Sequence, residues 1–439
     1  MAGIAVVSLA AATLAVIASV AAADPVTAEP DRGDTTGYPL PAGALFVATT
    51  GSDASPGTQT APVKTLQRAI DMAVAGDTIV VRGGQYYGQT AGVSKEITIE
   101  AYPDEEVWFD GTESLSGGWV QSGSVWYRDG FTTHFDYSPT YTRGASDGTV
   151  PGWIYINPNY PMAAHPEQIF FDDVEVAQVA SLAQVVAGTF YIDYAAQRIY
   201  VGADPTGVDI ASSVKQRFFQ TIAKVTLRDI GIRRYAPSVP DMGAVYVAES
   251  ANGCLLENIH IEDIATTAIS VSGPNTTLRN VTVLRTGFTG IHGYKAHNIL
   301  LDHVTVTYAN HEHFNHAPAA AGMKITSTKN VTVLSSTFSD NDAAGFWADE
   351  TVYGLTIASS VLSRNLGQGV IVELSQNALV VNNRILDNYE SGIWIQGSGD
   401  VNIWNNSVAG GPARAGGAPA AGPAHAAAVR RLHRRRNHA

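Results

Sequence analysis

Two acidic residues, Asp349 and Glu373, occupy matching places in neighbouring sequence repeats. Each is the fourth residue after a glycine that opens an alternating apolar run, Gly345 and Gly369. Residues two apart on a β-strand share a face, so both side chains are predicted to point outward at the same phase. Stacked coils would bring the two carboxyl groups to about 5 Å. That separation is typical of retaining glycoside hydrolysis, in which one carboxylate is the nucleophile and the other is acid and then base.

The same outward positions of the other repeats carry side chains suited to sugar binding. Tryptophan rings offer flat faces for stacking on a sugar, and a lysine, a histidine and a tyrosine stand beside them. Outward acids on a repeat protein are also ordinary solvated surface, which is the alternative interpretation. The expected substrate-binding residues are His292, Tyr294, Lys324, Trp347, Glu350, Trp394 and Gln396.

An internal repeat of about 23 residues must position these side chains. The leading glycines are Gly290, Gly322, Gly345, Gly369 and Gly392, with spacings of 32, 23, 24 and 23. A second ladder of turn residues keeps nearly the same spacing and is expected to hydrogen-bond from coil to coil: Asn258, Asn280, His303, Ser336, Ser360, Asn383 and Asn406. Short alternating runs at this period predict three strands per turn, which is an all-β, right-handed parallel β-helix.

The pattern also divides the chain. Residues 43–114 are predicted to form the N-terminal cap and first coils, with an amphipathic cap helix over 65–75 that buries Leu66, Ile70 and Val74. The repeat lapses over 115–215, where aromatic residues become frequent and an inserted antiparallel β-subdomain is predicted. Residues 216–410 are the main β-helix.

The two ends differ from the rest in composition. Residues 1–23 read as a secretory signal peptide with small residues before a cleavage after Ala23, although the segment lacks Lys and Arg, so we expect a secreted, extracellular protein. Residues 24–42 are predicted to be a flexible lead. Residues 411–439 are a low-complexity basic tail, expected to be disordered or non-native.

Charge and cysteine content limit the functions to consider. The net charge of −13 argues against nucleic acid or an anionic membrane as partner. The single cysteine, Cys254, cannot form an internal disulfide and is expected to be buried. Given the outward side chains described above, a carbohydrate substrate is the expected partner.

A family resemblance supports this interpretation. The segment GFWADE, followed one coil later by GVIVELSQNALVVNNRI, resembles the β-helical glycoside hydrolases that include β-xylosidases. The resemblance covers roughly residues 43–410 and implies Asp349 as nucleophile and Glu373 as acid/base. The sequence departs from the family pattern at two places, Glu350 directly after Asp349 and Ser375-Gln376-Asn377 after Glu373. These departures leave the identity of the substrate open.

Metal binding and other functions were weighed against this hypothesis. The run from His311 to His316 does not have the H-E-x-x-H zinc spacing, so it is expected to be a loop beside the substrate or a solvated loop, and no metal or cofactor is predicted. Asp340, Asn341 and Asp342 could bind Ca²⁺, but they are also ordinary turn residues. The alternatives are a polysaccharide lyase, with Lys324 as base assisted by His292 or Tyr294, and a non-catalytic glycan-binding or adhesin-like solenoid.

Overall fold

The computed structural model describes residues 39–410, and these form a parallel β-helix with an inserted sheet. Three long sheets run along the coil stack, and every neighbouring pair of strands within them is parallel. The predicted fold class is confirmed. Residues 1–38 and 411–439, which include the expected signal peptide, most of the lead and the tail, lie outside the described residues.

Sheet I has eleven strands and sheet III has ten among the described residues. The strands of sheet I are Leu45–Val47, Thr78–Val81, Ile97–Ala101, Val225–Arg228, Leu255–Glu257, Thr277–Arg279, Leu300–Asp302, Lys329–Leu334, Tyr353–Ala358, Gln376–Val381 and Gly399–Trp404. The strands of sheet III are Gly84–Tyr87, Val107–Asp110, Gly231–Arg233, His260–Ile264, Thr282–Thr286, Thr305–Ala309, Thr337–Ser339, Val361–Ser363, Arg384–Leu386 and Ser407–Ala409.

Sheet II, with nine strands, carries both predicted catalytic acids. Its strands are Ala91–Val93, Phe219–Thr221, Val245–Val247, Ile269–Val271, Ile291–Tyr294, Ala321–Thr326, Ala344–Asp349, Val370–Glu373 and Ile393–Gln396. The residue after each leading glycine points into the coil, as predicted. Register pairs join these inward residues in the order Ile291, Met323, Phe346, Val370 and Ile393.

The inserted sheet has eight strands and is antiparallel except at one pair, Ala177–Gln178 against Thr189–Phe190. It extends over 112–213. The 3-10 helix Leu182–Gln184 connects the two strands of that parallel pair. The eight strands are Thr112–Ser114, Val120–Ser122, Val125–Asp129, Ile169–Phe171, Val174–Gln178, Thr189–Asp193, Arg198–Val201 and Ile210–Ser213.

The cap helix is Leu66–Met72. Thr65 caps it, because its hydroxyl oxygen accepts a hydrogen bond from the Arg68 backbone N–H. Leu66 and Ile70 are buried as expected. The prediction that Val74 is a core residue is wrong, because the helix ends before it and Val74 is 65% exposed.

A second, one-turn helix, His316–Ala319, lies in the enlarged coil. Cys254 is buried, as predicted. Among residues 39–410, no helix has both the length and the apolar character needed to span a bilayer.

The single polar ladder expected from the sequence is in fact two neighbouring ladders. One ladder occupies a turn position whose backbone has positive φ, a conformation that Asn adopts more easily than most residues. Its members are Asn258, Asn280, His303, Ser335, Ser359, Asn382 and Asn405. The next position holds Ser336, Ser360, Asn383 and Asn406, whose side-chain oxygens accept backbone N–H groups from the coil before. The predicted ladder is therefore wrong by one residue from Asn258, Asn280 and His303 to Ser336, the first ladder residue after the enlarged coil.

Candidate active site

The outward face of sheet II forms the continuous strip that the sequence predicts. Register pairs connect the second positions of successive coils in the order Tyr246, Ser270, His292, Lys324, Trp347, Ile371 and Trp394. Asp349 pairs with Thr326 of the coil before, and Glu373 pairs with Gln396 of the coil after. Ala348 pairs with Val372, so Asp349 and Glu373 follow at equivalent positions of adjacent strands.

The carboxylate of Asp349 is held by two donors. Its Oδ2 accepts a hydrogen bond from Lys324 Nζ at 2.8 Å, and its Oδ1 accepts one from the Glu350 backbone N–H at 2.7 Å. Asp349 is buried, with 8% of its surface exposed. A buried carboxylate with both oxygens hydrogen-bonded is fixed in orientation and is stabilised as the anion.

Lys324 is the cationic centre of the site. Besides Asp349, its ammonium group contacts the Pro318 carbonyl oxygen at 2.6 Å and lies 3.4 Å from the centre of the Trp347 ring. Burial lowers the pKa of Lys324, while the negative charges of Asp349 and Glu373 act in the opposite direction. The enlarged coil, which contains Pro318, thus helps to position this side chain.

Glu373 has a different environment from Asp349. Its Oε2 accepts a hydrogen bond from the Trp347 indole N–H at 3.1 Å. The pKa of Glu373 is raised, first by burial and then by the negative charge of Asp349, while the Trp347 hydrogen bond and the Lys324 charge partly offset the increase. Glu373 therefore keeps its proton to a higher pH than an ordinary glutamate, as an acid catalyst requires.

The two tryptophans of the strip differ in exposure. Trp347 is only 7% exposed and packs in a small apolar cluster with Ile371, and the Lys324 ammonium lies over its ring, so it does not offer the open face expected for sugar stacking. Trp394 is 39% exposed and keeps such a face. With Gln396 it lies on the last described coil, outside the cleft that follows.

A cleft of about 570 Å³ opens over the strip on the N-terminal side of Asp349. Its walls come from five parts of the chain: the segment between the inserted strands, the segment before strand Phe219–Thr221, the loop before strand Val245–Val247, the enlarged coil, and sheet II itself. Tyr294, Thr326 and Glu350 also line the cleft. The principal lining residues are Tyr141, Trp153, Arg217, Tyr246, His292 and Lys324.

The aromatic walls were missed by the sequence analysis. Tyr141 lies with its ring 5.9 Å from His292 and 5.6 Å, edge-on, from Tyr155. Trp153 belongs to the same inserted segment. The only sequence signal was the high aromatic content of residues 115–215, which did not show that the segment folds back over sheet II.

His292 lies at the floor of the cleft as a neutral imidazole. Burial, together with the positive charge of Lys324, lowers its pKa to about 4. Its Nδ1 is buried and has no hydrogen-bond partner within the described part of the chain. A buried polar atom without a partner is unusual in a folded protein.

The residues considered for Ca²⁺ point to separate partners. Asp340 forms an ion pair with Arg364 at 2.7 Å, Asn341 hydrogen-bonds to Asn365 at 2.8 Å, and Asp342 contacts His313 and His316.

Another cluster of possible metal ligands lies outside the cleft. One ligand atom each from Glu175, His311 and Glu312 lies within 4.8 Å of the others, which is close enough to share a metal ion.

Comparison with known proteins agrees with the architecture. The family described as "Right handed beta helix region" matches residues 243–408, and the family described as "Pel9A-like, right handed beta helix region" matches residues 45–142. A curated relative, pectate lyase PEL9 of Emericella nidulans, is 37% identical over 76 residues. That match covers 16% of this chain and 18% of the lyase.

Solved structures resemble the chain over most of its length. The structure titled "The complex structure of XylC with xylose" has a TM-score of 0.64 at 18% identity, covering 82% of this chain and 69% of that one. A structure titled "Glycoside hydrolase" has a TM-score of 0.53 at 13% identity, covering 84% and 97%. At these identities the likeness shows the fold. The chain is thus a right-handed parallel β-helix protein that resembles the β-helical carbohydrate-active proteins.

Proposed function

We propose that the protein is a retaining glycoside hydrolase acting on polysaccharide or oligosaccharide, with Asp349 as nucleophile and Glu373 as acid/base. The observation that carries the proposal is the unequal environment of two acids on adjacent strands. Lys324 stabilises the Asp349 anion at 2.8 Å, while burial and the Asp349 charge raise the pKa of Glu373. Adjacent coils are about 4.8 Å apart, close to the 5–5.5 Å carboxyl separation of retaining enzymes.

The chemistry follows from these environments. Protonated Glu373 would donate its proton to the glycosidic oxygen while Asp349 attacks the anomeric carbon and forms a glycosyl ester. Ionised Glu373 would then take a proton from the water that cleaves the ester. The Trp347 N–H, 3.1 Å from Glu373 Oε2, holds the acid/base in orientation through both steps.

The cleft supplies features of a sugar-binding site. Tyr141 and Trp153 present aromatic surface from the insertion, and Arg217, Lys324 and Glu350 add polar groups to the lining. Aromatic faces with a few placed polar groups are typical of carbohydrate pockets. The likeness to a structure holding xylose makes a β-xyloside the first substrate to test. We expect the protein to act outside the cell, with residues 1–23 removed.

Variants of the two acids test the assignment on nitrophenyl glycosides. Asp349→Asn should abolish turnover of every cleaved substrate with the fold unchanged by circular dichroism, because an amide does not attack an anomeric carbon. Glu373→Gln should still form the intermediate from activated aryl glycosides but release it slowly, and azide should restore turnover by replacing the base-activated water. Asp400→Asn, at an exposed acid of the same solenoid, is the matched control. Wild-type rates in both active-site variants would overturn the proposal.

A polysaccharide lyase acting on uronate polymers is the second candidate, favoured by one observation. Burial lowers the pKa of Lys324, as a catalytic base requires, and His292 and Tyr294 line the same cleft. Against it, the ion pair with Asp349 favours the ammonium form of Lys324, which has no lone pair with which to take a proton. A lyase creates an unsaturated product that absorbs in the ultraviolet, a hydrolase creates reducing ends without that absorbance, and a non-catalytic glycan-binding protein creates neither.

A further inference from the structure

The enlarged coil meets the inserted sheet at a cluster outside the cleft. Glu175 lies in the inserted strand Val174–Gln178, and His311 and Glu312 follow the solenoid strand Thr305–Ala309. We propose that Glu175, His311 and Glu312 bind one divalent transition-metal ion, with Zn²⁺ as the reference ion, and that this ion joins the insertion to the solenoid. The proposal does not depend on the glycosidase assignment.

The distances within the cluster suit a metal better than a direct hydrogen bond. His311 Nε2 lies 3.4 Å from Glu175 Oε2 and 3.4 Å from Glu312 Oε1. An N–H···O hydrogen bond is shorter, at about 2.7–3.2 Å. Zinc bonds to histidine nitrogen and carboxylate oxygen are about 2.0–2.2 Å, and tetrahedral ligands at that radius are about 3.3–3.6 Å apart. The two measured separations fall within this range.

The three residues of the cluster are half-buried. Both ring nitrogens of His311 are buried and lack a hydrogen-bond partner within the described residues. Glu175 Oε1 accepts a hydrogen bond from Gln168 Nε2 at 2.8 Å, which turns the other oxygen of that carboxylate toward His311. Such an outer partner is the usual means of orienting a metal ligand.

The loop that carries two of the ligands is fixed by its backbone. The His311 N–H donates to the Thr286 carbonyl and the Glu312 N–H donates to the Gly287 carbonyl, each at 3.1 Å. The two side chains are therefore presented from a coil of the solenoid and not from a freely moving loop. A preformed set of ligands loses little entropy when an ion binds.

Two carboxylates flank one imidazole in this cluster, each 3.4 Å from His311 Nε2. The nearby Arg285 is already paired with Asp263 at 2.9 Å. A divalent ion would neutralise both carboxylates, and one imidazole among them favours a borderline ion such as Zn²⁺ over Ca²⁺.

The competing explanation is a protonated His311 that simply bridges two carboxylates. Metal analysis of the full chain separates the two. The protein is stripped with a chelator, dialysed against Zn²⁺, and measured for bound metal per chain, with the dissociation constant obtained by competition against a chromophoric chelator. Replacement of Zn²⁺ by Co²⁺ adds a direct signature, since four-coordinate Co²⁺ absorbs strongly in the visible range.

We expect one equivalent of Zn²⁺ that is lost in His311→Ala and kept in His303→Ala, an exposed histidine paired with Asp302. Glu175→Gln should weaken Zn²⁺ binding by more than about 100-fold. Removing the hydrogen-bond partner of a ligand lowers metal affinity about 10- to 100-fold, and removing the ligand itself should lower it further. Residues 411–439 contain further histidines, so the equivalent that depends on His311 is the criterion. If the wild type holds no such equivalent, or Glu175→Gln with intact circular dichroism binds as tightly, the protonated bridge is correct and the metal proposal is wrong.

Discussion

Removing the Lys324 ammonium should destabilise the fold far more than removing an exposed lysine. The side chains of Lys324 and Asp349 are only 7% and 11% exposed, whereas the Lys224–Glu96 pair is 52% and 59% exposed. Breaking a buried pair leaves an uncompensated charge and costs about 3–5 kcal/mol. An exposed pair contributes about 0–1 kcal/mol. Lys324→Met, which keeps the length of the side chain, should therefore lower the free energy of unfolding by several times as much as Lys224→Met.

A double-mutant cycle in urea isolates the pair itself. Lys324→Met with Asp349→Asn should cost less than the sum of the two single changes, by about 1–3 kcal/mol, because the second change removes the charge that the first leaves unpaired. Tryptophan fluorescence and circular dichroism should follow the same transition, so that one free energy describes it. A Lys324→Met variant no less stable than Lys224→Met, or strictly additive single changes, would show that the buried ion pair does not exist in solution.

Three further outcomes follow from the contacts of single side chains. Glu373→Gln should raise the melting temperature at pH 7 but not near pH 4. Because the pKa of Glu373 is raised in the fold, the protonated carboxyl group stabilises the folded state at low pH, and this stabilisation is lost as the pH rises. An equal shift at both pH values would contradict this. Trp347→Phe removes an N–H group whose hydrogen bond lowers the pKa of Glu373. The rate should fall, and the alkaline limb of the pH profile of kcat/KM should move to higher pH. An unchanged alkaline limb would show that this hydrogen bond is absent. Asn365→Ala should cost about 1–3 kcal/mol in urea, since it leaves buried partners unbonded, whereas Asn402→Ala at the exposed last coil should cost less than about 1 kcal/mol.

The fold was predictable because a solenoid repeats its packing in its sequence. Each coil contacts only its neighbours, so inward residues recur at one phase, and the alternation of Met323, Phe346 and Val370 sufficed to assign their faces. The slip in the polar ladder at Ser336 has the same origin. Two adjacent turn positions both accept polar residues, and the enlarged coil before Ser336 interrupts the count that would distinguish them.

The site was predictable only where it follows the repeat. The outward phase of Asp349 and Glu373 comes directly from that periodicity. The wall residue Tyr141 and the Pro318 carbonyl belong to an insertion and an enlarged coil, whose contacts with sheet II obey no period. Those contacts cover the strip, and for this reason Lys324 is buried instead of solvated and Trp347 lacks the open face expected of it. Long-range contacts of this kind leave no local pattern in a single sequence.

The glycine that opens each repeat connects the sequence signal to the candidate site. A Cβ atom on Gly345 would lie 2.7 Å from the Gly369 carbonyl oxygen, and one on Gly369 would lie 2.6 Å from the Gly392 carbonyl oxygen. These distances are too short for any side chain, so the coils can stack in this register only with glycine there. Asp349 and Glu373 each stand four residues beyond such a glycine. The contact that fixes the spacing of the coils therefore also fixes both carboxylates on one face, because a slip of one residue would turn either acid into the core.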